Sequence, residues 1–358
     1  MRMGRGRALF VCPHIPQANA VQAGHKTAYD FLVELAREYE VDAILLCRTK
    51  EYVETKAETE QLRGIINRCD VIPFSDVEVV LGLVHAAFCG IAPRFGSRLT
   101  PKARRFVGDA LRTLDYDVLW CEFSQSFWAG KLVGDSTRVV FSAHDIQTQV
   151  IQRKAAWECM LFLGWTYRCE KRLMASADRI RVQSKKDAAL VSGFLQEEGA
   201  KIEVVGPKIG DFVYRVRRIK REIERHSLLF WGAMNRRENS IAAIAFVKGG
   251  FRQVRQTLPD AKLYVVGANP PPELLSLRSE SIFVTGFVED PSRFFEKCTL
   301  GIAPLSAGAG IKVKVLEMLE AGMPVVSTPV GAEGIEPNER LTVSDLEHFP
   351  QAICKLLE

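Results

Sequence analysis

Short apolar runs alternate with amphipathic helical patterns along most of this 358-residue chain. Residues 8–12 and 41–47 have the composition of buried strands, and residues 24–39 between them place apolar side chains on one helical face. Strands of a parallel sheet that is covered on both faces are apolar almost throughout, whereas half-exposed strands alternate. The sequence therefore predicts an α/β protein built on parallel sheets.

The same alternation begins a second time after a charged segment, YRVRRIKREIERH, at residues 214–226. A charged segment between two apolar series is typical of an exposed connection between domains. We therefore expect an N-terminal domain at residues 1–213 and a C-terminal domain at residues 227–358. Both are expected to be doubly wound, Rossmann-like domains that face each other across a cleft, with ligands at the carboxyl ends of the strands.

Cysteine usage and the length of apolar runs exclude several classes of protein. The nine cysteines are odd in number and no pair has C-x-x-C spacing, so neither a disulfide framework nor a zinc knuckle is expected. No window of about 18 apolar residues occurs, and the run at residues 8–12 is too short for a signal peptide. We expect a cytoplasmic protein without a membrane-spanning helix.

Residues 91–112 form a strongly basic stretch, with six Lys or Arg side chains and one acid. One interpretation is the solvated face of a helix. The other is a surface that docks on anionic lipid headgroups at the inner face of the membrane, to which each basic side chain contributes roughly 1 kcal/mol. Nucleic acid is not an expected partner, because aromatic side chains do not interleave with this charge as stacking platforms require.

The segment APLSAGAGIKVKVLEMLEAGMPVVSTPVGAEGI, residues 303–335, carries the strongest binding signal. A predicted strand ends, a loop with Gly308 and Gly310 follows, and a helix begins near residue 311. Glycines let backbone N–H groups approach a phosphate, and a helix N-terminus favours an anion. Lys312 and Lys314 lie in the first turn, where a cation opposes the helix dipole. The segment therefore predicts a site for a nucleoside diphosphate.

Glu317 lies one turn from Val313 and from Ala321, so its carboxylate is expected on the inward side of this helix. A buried carboxylate requires hydrogen-bond donors. Two ribose hydroxyls would supply them, and an ion pair with Lys314 three residues earlier is the alternative. The local pattern leaves both interpretations open.

These residues resemble the family-four retaining glycosyltransferases. That family has a glycine-containing loop, a basic residue, K-x-L-E, G-x-P-V-V and a closing E-G. The matching positions are Gly308, Gly310, Lys314, Leu316, Glu317, Gly322, Pro324, Val325, Val326, Glu333 and Gly334. The resemblance extends upstream to LFWG at 229–232, YVVG at 264–267 and TGFVED at 285–290.

The resemblance implies a GT-B fold, a nucleotide-sugar donor and retention of anomeric configuration. It implies that Glu317 binds the ribose, that Gly232 forms the turn opening the second domain, and that Phe287 and Val288 contact the base through their backbone. No metal or other cofactor is expected, because basic side chains and helix N-termini stabilise the departing diphosphate in this family.

Several positions depart from the family pattern. Ala309 stands where the first glutamate of an E-x7-E pair contacts the donor sugar, and Ala233 and Glu238 stand where Arg and Lys often hold the diphosphate. The same substitutions occur in the similar exopolysaccharide-associated subgroup. The missing charge is then expected from the basic residues nearby, Arg236, Arg237, Lys312 and Lys314. The family's C-terminal crossover helices are not expected within this sequence, which ends at Glu358, so that either the sequence is shortened or the closing mechanism differs.

The resemblance in the N-terminal domain is weaker. It places Gly24 close to the sugar diphosphate, whereas a plain helix cap is the alternative. Glu122, after the strand predicted at 118–121, is expected to orient the acceptor hydroxyl or act as a base, unless it is a surface carboxylate. His144 is expected to contact the acceptor or the sugar. Asp145 either joins it or caps the following helix.

The sequence thus predicts a metal-independent, hexosyltransferase-like enzyme. It would transfer sugar with retention from a nucleotide-diphosphate donor to a saccharide or lipid-linked acceptor, in polysaccharide or glycoconjugate biosynthesis. A non-hydrolysing nucleotide-sugar epimerase on the same fold is one alternative. A non-catalytic GT-B binding or scaffold protein of polysaccharide assembly is the other, and Ala309 keeps it open.

Overall fold

The computed structural model of the chain describes residues 5–18, 20, 22–153, 156–196 and 201–358. The chain divides into two compact units, one up to Gly206 and one from Pro207 to Glu358. Each unit contains one sheet with hydrophobic cores on its two faces.

Strands and helices alternate through the first unit, as the apolar pattern predicts. In chain order they are β1 (Arg7–Cys12), α1 (Ala23–Glu38), β2 (Glu40–Leu45), α2 (Thr49–Glu54), α3 (Lys56–Arg63), β3 (Arg68–Val71), α4 (Asp76–Phe88), α5 (Pro93–Gly96), α6 (Pro101–Thr113), β4 (Val118–Glu122), a 3-10 helix (Ser124–Leu132), β5 (Arg138–Ala143), α7 (Gln147–Gln152), α8 (Ala156–Met174), β6 (Arg179–Val182), α9 (Lys185–Leu195) and β7 (Lys201–Val204).

The first sheet has seven parallel strands in the order β3-β2-β1-β4-β5-β6-β7. In β1, Phe10 pairs with Ala43 of β2 and with Trp120 of β4. Leu9 and Val11 enter one core and Phe10 enters the other, because successive side chains of a strand point to opposite faces. The strand order reverses between β1 and β4, which is where a doubly wound sheet binds ligands.

The second unit repeats this arrangement. Its elements are α10 (Asp211–Arg217), β8 (Glu224–Trp231), α11 (Arg237–Lys248), α12 (Gly250–Thr257), β9 (Lys262–Val266), α13 (Pro272–Leu275), β10 (Ile282–Val284), α14 (Ser292–Lys297), β11 (Cys298–Ala303), α15 (Val313–Glu320), β12 (Val325–Ser327), β13 (Leu341–Val343) and α16 (Phe349–Leu357).

The second sheet is also parallel, in the order β10-β9-β8-β11-β12-β13. Leu229 of β8 pairs with Tyr264 of β9 and with Gly301 of β11. Leu228 and Phe230 enter one core and Leu229 the other. The strand order reverses between β8 and β11. The prediction of two doubly wound α/β domains is confirmed.

The charged segment at residues 214–226 is not a free connection between the units, and the division lies earlier, between Gly206 and Pro207. Its first residues belong to α10, which buries Val213 and Val216 completely against a core of the second unit. The basic residues of α10 lie on its outer face, and their number in the sequence obscures the pattern of a short amphipathic helix. The remainder leads into β8.

No helix in the described part of the chain is long and apolar enough to cross a membrane. The eight cysteines with described side chains are free thiols, and most are buried.

Candidate functional site

The loops after β8 and β11 form the ligand-binding edge of the second sheet, because its strand order reverses between these two strands. Gly232 follows β8, and the loop at residues 304–312 joins β11 to α15. The glycines that the sequence singled out, Gly232, Gly308 and Gly310, therefore all lie on the loops of this switch point.

Backbone conformation explains why these positions are glycine. The φ angles of Gly232, Gly308 and Gly310 are 144°, 125° and 69°, in the region that side chains other than glycine rarely adopt. A Cβ on Gly232 would lie 3.4 Å from Nζ of Lys314. Gly267, after β9, supports the first of these loops, since a Cβ there would lie 1.9 Å from the Gly232 carbonyl oxygen.

Lys314 is the cation that the fold directs into this switch point. Its ammonium donates a hydrogen bond to Oδ1 of Asn239, and lies 5.4 Å from the ring centroid of Phe230. Burial lowers the pKa of Lys314 to about 7, and the positive charges of Arg236 and Lys312 contribute in the same direction. Basic groups that suppress one another's protonation form a favourable environment for an anion.

Lys312 and Arg236 are placed differently from what the sequence suggested. Lys312 is only 8% exposed, and its ammonium donates to the carbonyl oxygens of Gly310, at 2.6 Å, and Ala309, at 3.2 Å. It therefore holds the glycine loop together. Arg236 is exposed at the start of α11 and pairs with Glu238 at 2.8 Å. Glu238 thus partly neutralises the charge of Arg236.

Glu317 accepts hydrogen bonds on both carboxylate oxygens. Nε1 of Trp231 donates to Oε2 at 2.6 Å, and the backbone N–H of Gly210 donates to Oε1 at 3.1 Å. The alternative ion pair with Lys314 is not formed among the described contacts, because that ammonium donates to Asn239. Two donors from separate segments thus hold the Glu317 carboxylate in place.

Phe287 and Val288 follow β10, two strands away from β8 in the sheet order. The Phe287 side chain is 66% exposed, directly after Gly286 with its φ of 82°. Val288 packs on a core of the second unit. The structure thus presents an aromatic ring to solvent at the carboxyl edge of this sheet.

In the first unit, Gly24 and His144 lie together at the switch point between β1 and β4. A Cβ on Gly24 would lie 3.2 Å from the ring of Phe123 and 3.7 Å from Nδ1 of His144. The N-cap residue of α1 is Gln22, so the interpretation of Gly24 as a plain helix cap is wrong. Glycine suits this position because a side chain would crowd the ring of Phe123.

Glu122 is fully buried, so it is neither a surface carboxylate nor placed to meet an acceptor directly. It accepts hydrogen bonds from Nε1 of Trp120 at 2.7 Å, from Oγ of Ser142 at 3.0 Å, and from Nε2 of His144. A buried carboxyl group needs hydrogen-bond partners, and Glu122 has three. Glu122 is therefore a positioning residue for His144.

His144 has both ring nitrogens engaged. Nε2 contacts the carboxyl group of Glu122, and Nδ1 lies 2.9 Å from the amide nitrogen of Gln183. The ring stacks on Phe123 with centroids 3.9 Å apart. The ring is thus fixed through both nitrogens, and its edge remains partly exposed.

Asp145 does not cap the following helix. The N-cap of α7 is Ile146, and the first backbone amides of the helix, those of Gln147 and Thr148, donate to the carboxylate of Glu170 at 2.7 and 2.8 Å. Burial raises the pKa of Glu170, whereas these hydrogen bonds lower it. Asp145 is left partly exposed beside His144, at the carboxyl edge of the sheet.

The sequence analysis missed a cluster formed by His14, His25 and Glu51, whose potential ligand atoms lie within 4.8 Å of one another. The two imidazole rings stack at 4.6 Å, and His14 contacts the ring of Phe123 edge-on. Glu51 accepts from the Ile15 N–H at 2.9 Å. Burial raises the pKa of Glu51, but the contacts with His14 and Ile15 outweigh it and lower the pKa below its usual value.

Among the described residues, this is the one cluster whose side chains could hold a metal ion. Two imidazoles and a carboxylate are common metal ligands. In the sequence, only His25 next to Gly24 pointed to this region. His14 and Glu51 lie far from each other in the chain, so their proximity could not be predicted. Internal hydrogen bonds already account for the arrangement of the His14 and Glu51 side chains.

The basic stretch at residues 91–112 is only partly a surface. Arg98 is 6% exposed, and burial lowers its pKa. Arg94 is partly buried, and the remaining basic residues, Lys102, Arg104, Arg105 and Arg112, are exposed on α6. Arg112 pairs with Asp109 on the same helix.

Two family models match the sequence in consecutive segments. A model described as glycosyl transferase 4-like domain matches residues 24–208, and a model described as glycosyl transferases group 1 matches residues 225–358. The two segments correspond closely to the two structural units. No protein of curated function matches the sequence significantly.

Solved structures share the fold over nearly the whole chain. Sucrose-phosphate synthase from Thermosynechococcus elongatus has a TM-score of 0.61 at 14% identity, covering 98% of this chain and 90% of that chain. HepE from Anabaena in complex with UDP has a TM-score of 0.61 at 12% identity, with 98% and 89% covered. A glycosyltransferase from Rickettsia africae has a TM-score of 0.62 at 11% identity, with 98% and 88% covered. The predicted GT-B fold is confirmed.

Proposed function

Because this chain belongs to the glycosyltransferases of the group 1 and type 4-like domains, we propose that it transfers a sugar with retention from a nucleoside-diphosphate sugar to a saccharide or lipid-linked acceptor. The observation that carries the proposal is the switch point of the second sheet. There a glycine loop, a helix N-terminus and the half-buried ammonium group of Lys314 converge.

The diphosphate is proposed to bind between the glycine loop and Lys314. Gly308 and Gly310 carry no side chain and have positive φ angles, and the N-terminus of α15 favours negative charge. A bound diphosphate would return the pKa of Lys314 toward the usual value of a lysine, because an opposite charge stabilises the ammonium form. Arg236 lies near enough to affect the same pKa and is the second proposed source of charge.

The nucleoside is proposed to bind through Glu317 and the segment after β10. Glu317 is assigned to the ribose from the family resemblance, since a carboxylate can accept hydrogen bonds from two hydroxyls. Phe287 and Val288 are assigned to the base from the family resemblance, and the exposed ring of Phe287 agrees with a contact surface. Uracil is the first base to test, because HepE, which shares the fold, was solved with UDP and with UDP-glucose.

The acceptor and the transferred sugar are assigned to the switch point of the first sheet, where Gly24, His144 and Asp145 lie. Since both nitrogens of His144 are engaged, its proposed contribution is a fixed ring edge beside the sugar. We assign no metal to the reaction, because Lys314 and the N-terminus of α15 supply positive potential for the leaving diphosphate. Free thiols agree with a reducing, cytoplasmic setting in polysaccharide or glycoconjugate biosynthesis.

A thermal-shift panel of UDP, GDP, ADP, CMP and dTDP in the presence of EDTA tests this function. A nucleotide at 100 times its dissociation constant stabilises the protein by about 2.7 kcal/mol. We expect one nucleoside diphosphate, UDP first, to raise the melting temperature, and Lys314→Met to remove the shift. Lys248→Met is the matched control, since that lysine forms an exposed pair with Glu273 on the outside of the second unit.

No shift with any nucleotide in the folded wild-type protein would refute the donor site. A shift that requires a divalent cation would refute metal independence. Ala309 favours one alternative, a non-catalytic binding protein, because a sugar-contacting glutamate is missing from the loop. Release of sugar or of UDP from UDP-glucose, by transfer or slow hydrolysis, excludes that alternative. Binding without any turnover over a panel of sugar nucleotides supports it.

A further inference from the structure

Helix α4 presents its large apolar side chains to solvent. The exposed fractions are 69% for Val77, 59% for Val80, 56% for Leu81, 51% for Val84 and 88% for Phe88. At about 100° per residue, these five positions span an arc of about 100°, which is one continuous stripe. We call this stripe the α4 face. A helix of a globular protein normally turns such a stripe toward the core.

The inward side of α4 is built from smaller residues, Val79, Gly82 and Ala86. A Cβ on Gly82 would lie 3.2 Å from Cγ2 of Thr100, and a Cβ on Gly96 would lie 2.2 Å from Cβ of Ala86. The backbone of α4 thus packs closely on the segment that follows it. This packing fixes the rotation of the helix, so exposure of the α4 face is a feature of the fold.

Positive charge gathers at the C-terminal end of the α4 face, beside Phe88. Nη1 of Arg104 lies 3.8 Å from Sγ of Cys89, and Nη2 of Arg172 donates to the carbonyl oxygen of Gly90 at 2.6 Å. Lys131 is close enough to Arg172 for their charges to affect each other. All three cations are exposed.

The acidic side chains of α4 lie at its other end. Asp76 pairs with Arg48, and Glu78 forms a capping box with Ser75. They are outside the apolar arc. The α4 face is therefore bordered at the Phe88 end by cations and at the opposite end by acids that already have partners.

We infer that the α4 face is a docking surface for a membrane with anionic phospholipid headgroups. An apolar stripe bordered by Lys and Arg is the arrangement of helices that lie in the membrane interface. With thirteen residues, α4 is about 20 Å long, which suits lying in the plane of the interface and is too short to span. A second copy of the chain is the competing occupant, and the oligomeric state of the protein in the test below separates it from a membrane.

Docking of the α4 face does not depend on the donor site, although it would bring the proposed enzyme to a lipid-linked acceptor. The residue range first considered for membrane contact, 91–112, contributes Arg104 but not the buried Arg98. The apolar part of the surface comes from α4, which precedes that range.

Flotation of the full-length protein with vesicles tests the inference. One set contains phosphatidylcholine alone, and the other has one third of it replaced by phosphatidylglycerol. We expect the wild type to float with the anionic set and Leu81→Gln/Phe88→Gln to lose at least nine tenths of that binding. Arg104→Gln/Lys131→Gln should lose the preference for anionic vesicles. Val53→Gln, at a 71% exposed valine of α2, is the matched control and should float like the wild type.

Failure of the wild type to float with anionic vesicles, or unchanged flotation of the Leu81/Phe88 variant, would overturn the inference. A wild-type dimer that the same variant converts to a monomer would assign the α4 face to a second copy instead. Melting temperatures and the UDP-induced shift are measured on every variant. Both are expected to stay unchanged, so loss of membrane binding is distinguished from loss of folding or of the donor site.

Discussion

Two ionisable side chains in buried surroundings show how single residues build the proposed sites. Glu122 is fully buried and accepts hydrogen bonds from three side chains, one of which is His144. Lys314 is held by Asn239 with no carboxylate bonded to its ammonium among the described contacts. The first residue is stabilised by partners already in place. The second is destabilised as a cation until an anion arrives.

UDP affinity is expected to fall as the pH rises from about 7 to about 10. The pKa of Lys314 is lowered to about 7, so at higher pH the lysine is neutral in the free protein and binding of the diphosphate must take up a proton. Below pH 7 the ammonium is already charged and the affinity no longer depends on this group. One proton limits the slope to about tenfold per pH unit.

Isothermal titration calorimetry in buffers with different ionisation enthalpies measures this proton uptake directly. Lys314→Arg is the control, because a guanidinium stays protonated throughout the range and should give an affinity without this slope. A wild-type affinity that is flat between these pH values would contradict the proposed contact between Lys314 and the diphosphate.

At the scale of elements, the loop after β8 is shaped by its neighbour as much as by its own sequence. Gly232 lies against Gly267, which follows β9, and its N–H donates to the Val266 carbonyl oxygen at 3.0 Å. The helical segment that follows this loop is divided in two, since α11 ends and α12 begins around Gly249.

Gly267→Ala is expected to lower the free energy of unfolding by more than about 1 kcal/mol and to weaken UDP binding. Its φ of 152° disfavours a side chain, and the new Cβ would lie 1.9 Å from the Gly232 carbonyl oxygen, so the loop has to move. Urea denaturation and UDP titration measure the two effects.

Gly193→Ala in α9 provides the contrasting substitution. No atom lies within 4 Å of the added methyl group, and alanine is favoured over glycine in a helix by about 0.5–1 kcal/mol. It should be neutral or stabilising. Equal destabilisation by both substitutions would mean that the close approach at Gly267 does not control the loop.

At the scale of the whole molecule, each unit has its own sheet and cores, and the division lies between Gly206 and Pro207. Helix α10 belongs to the second unit, because Val213 and Val216 are fully buried there. The division therefore predicts which piece of the chain contains a complete donor domain.

A fragment of residues 207–358 is expected to unfold cooperatively and to show the UDP-induced melting shift. A fragment of residues 227–358, cut at the boundary that the charge pattern suggested, lacks α10 and the start of β8. It should lose the cooperative transition, since removing two buried valines with their helix exposes a core face. Urea unfolding followed by circular dichroism compares them. Equal stability of the two fragments would contradict the assignment of α10 to this core.

The sequence by itself determined the fold class and the donor motif. Apolar runs report burial on both faces of a sheet, and the residues of the donor motif, from Gly308 to Glu317, are close together in the chain. Local patterns therefore sufficed for both. The alanine at position 309 was also recognisable from the sequence, because the family motif fixes where the first glutamate should stand.

Only the tertiary structure decided the contacts between distant segments. Glu317 meets Gly210 and Trp231, and Glu122 meets His144, across gaps in sequence that carry no periodic signal. The same is true of the α4 face. Its apolar residues have the spacing of a core-facing helix, and only the close packing of Gly82 and Ala86 on the other side turns them outward.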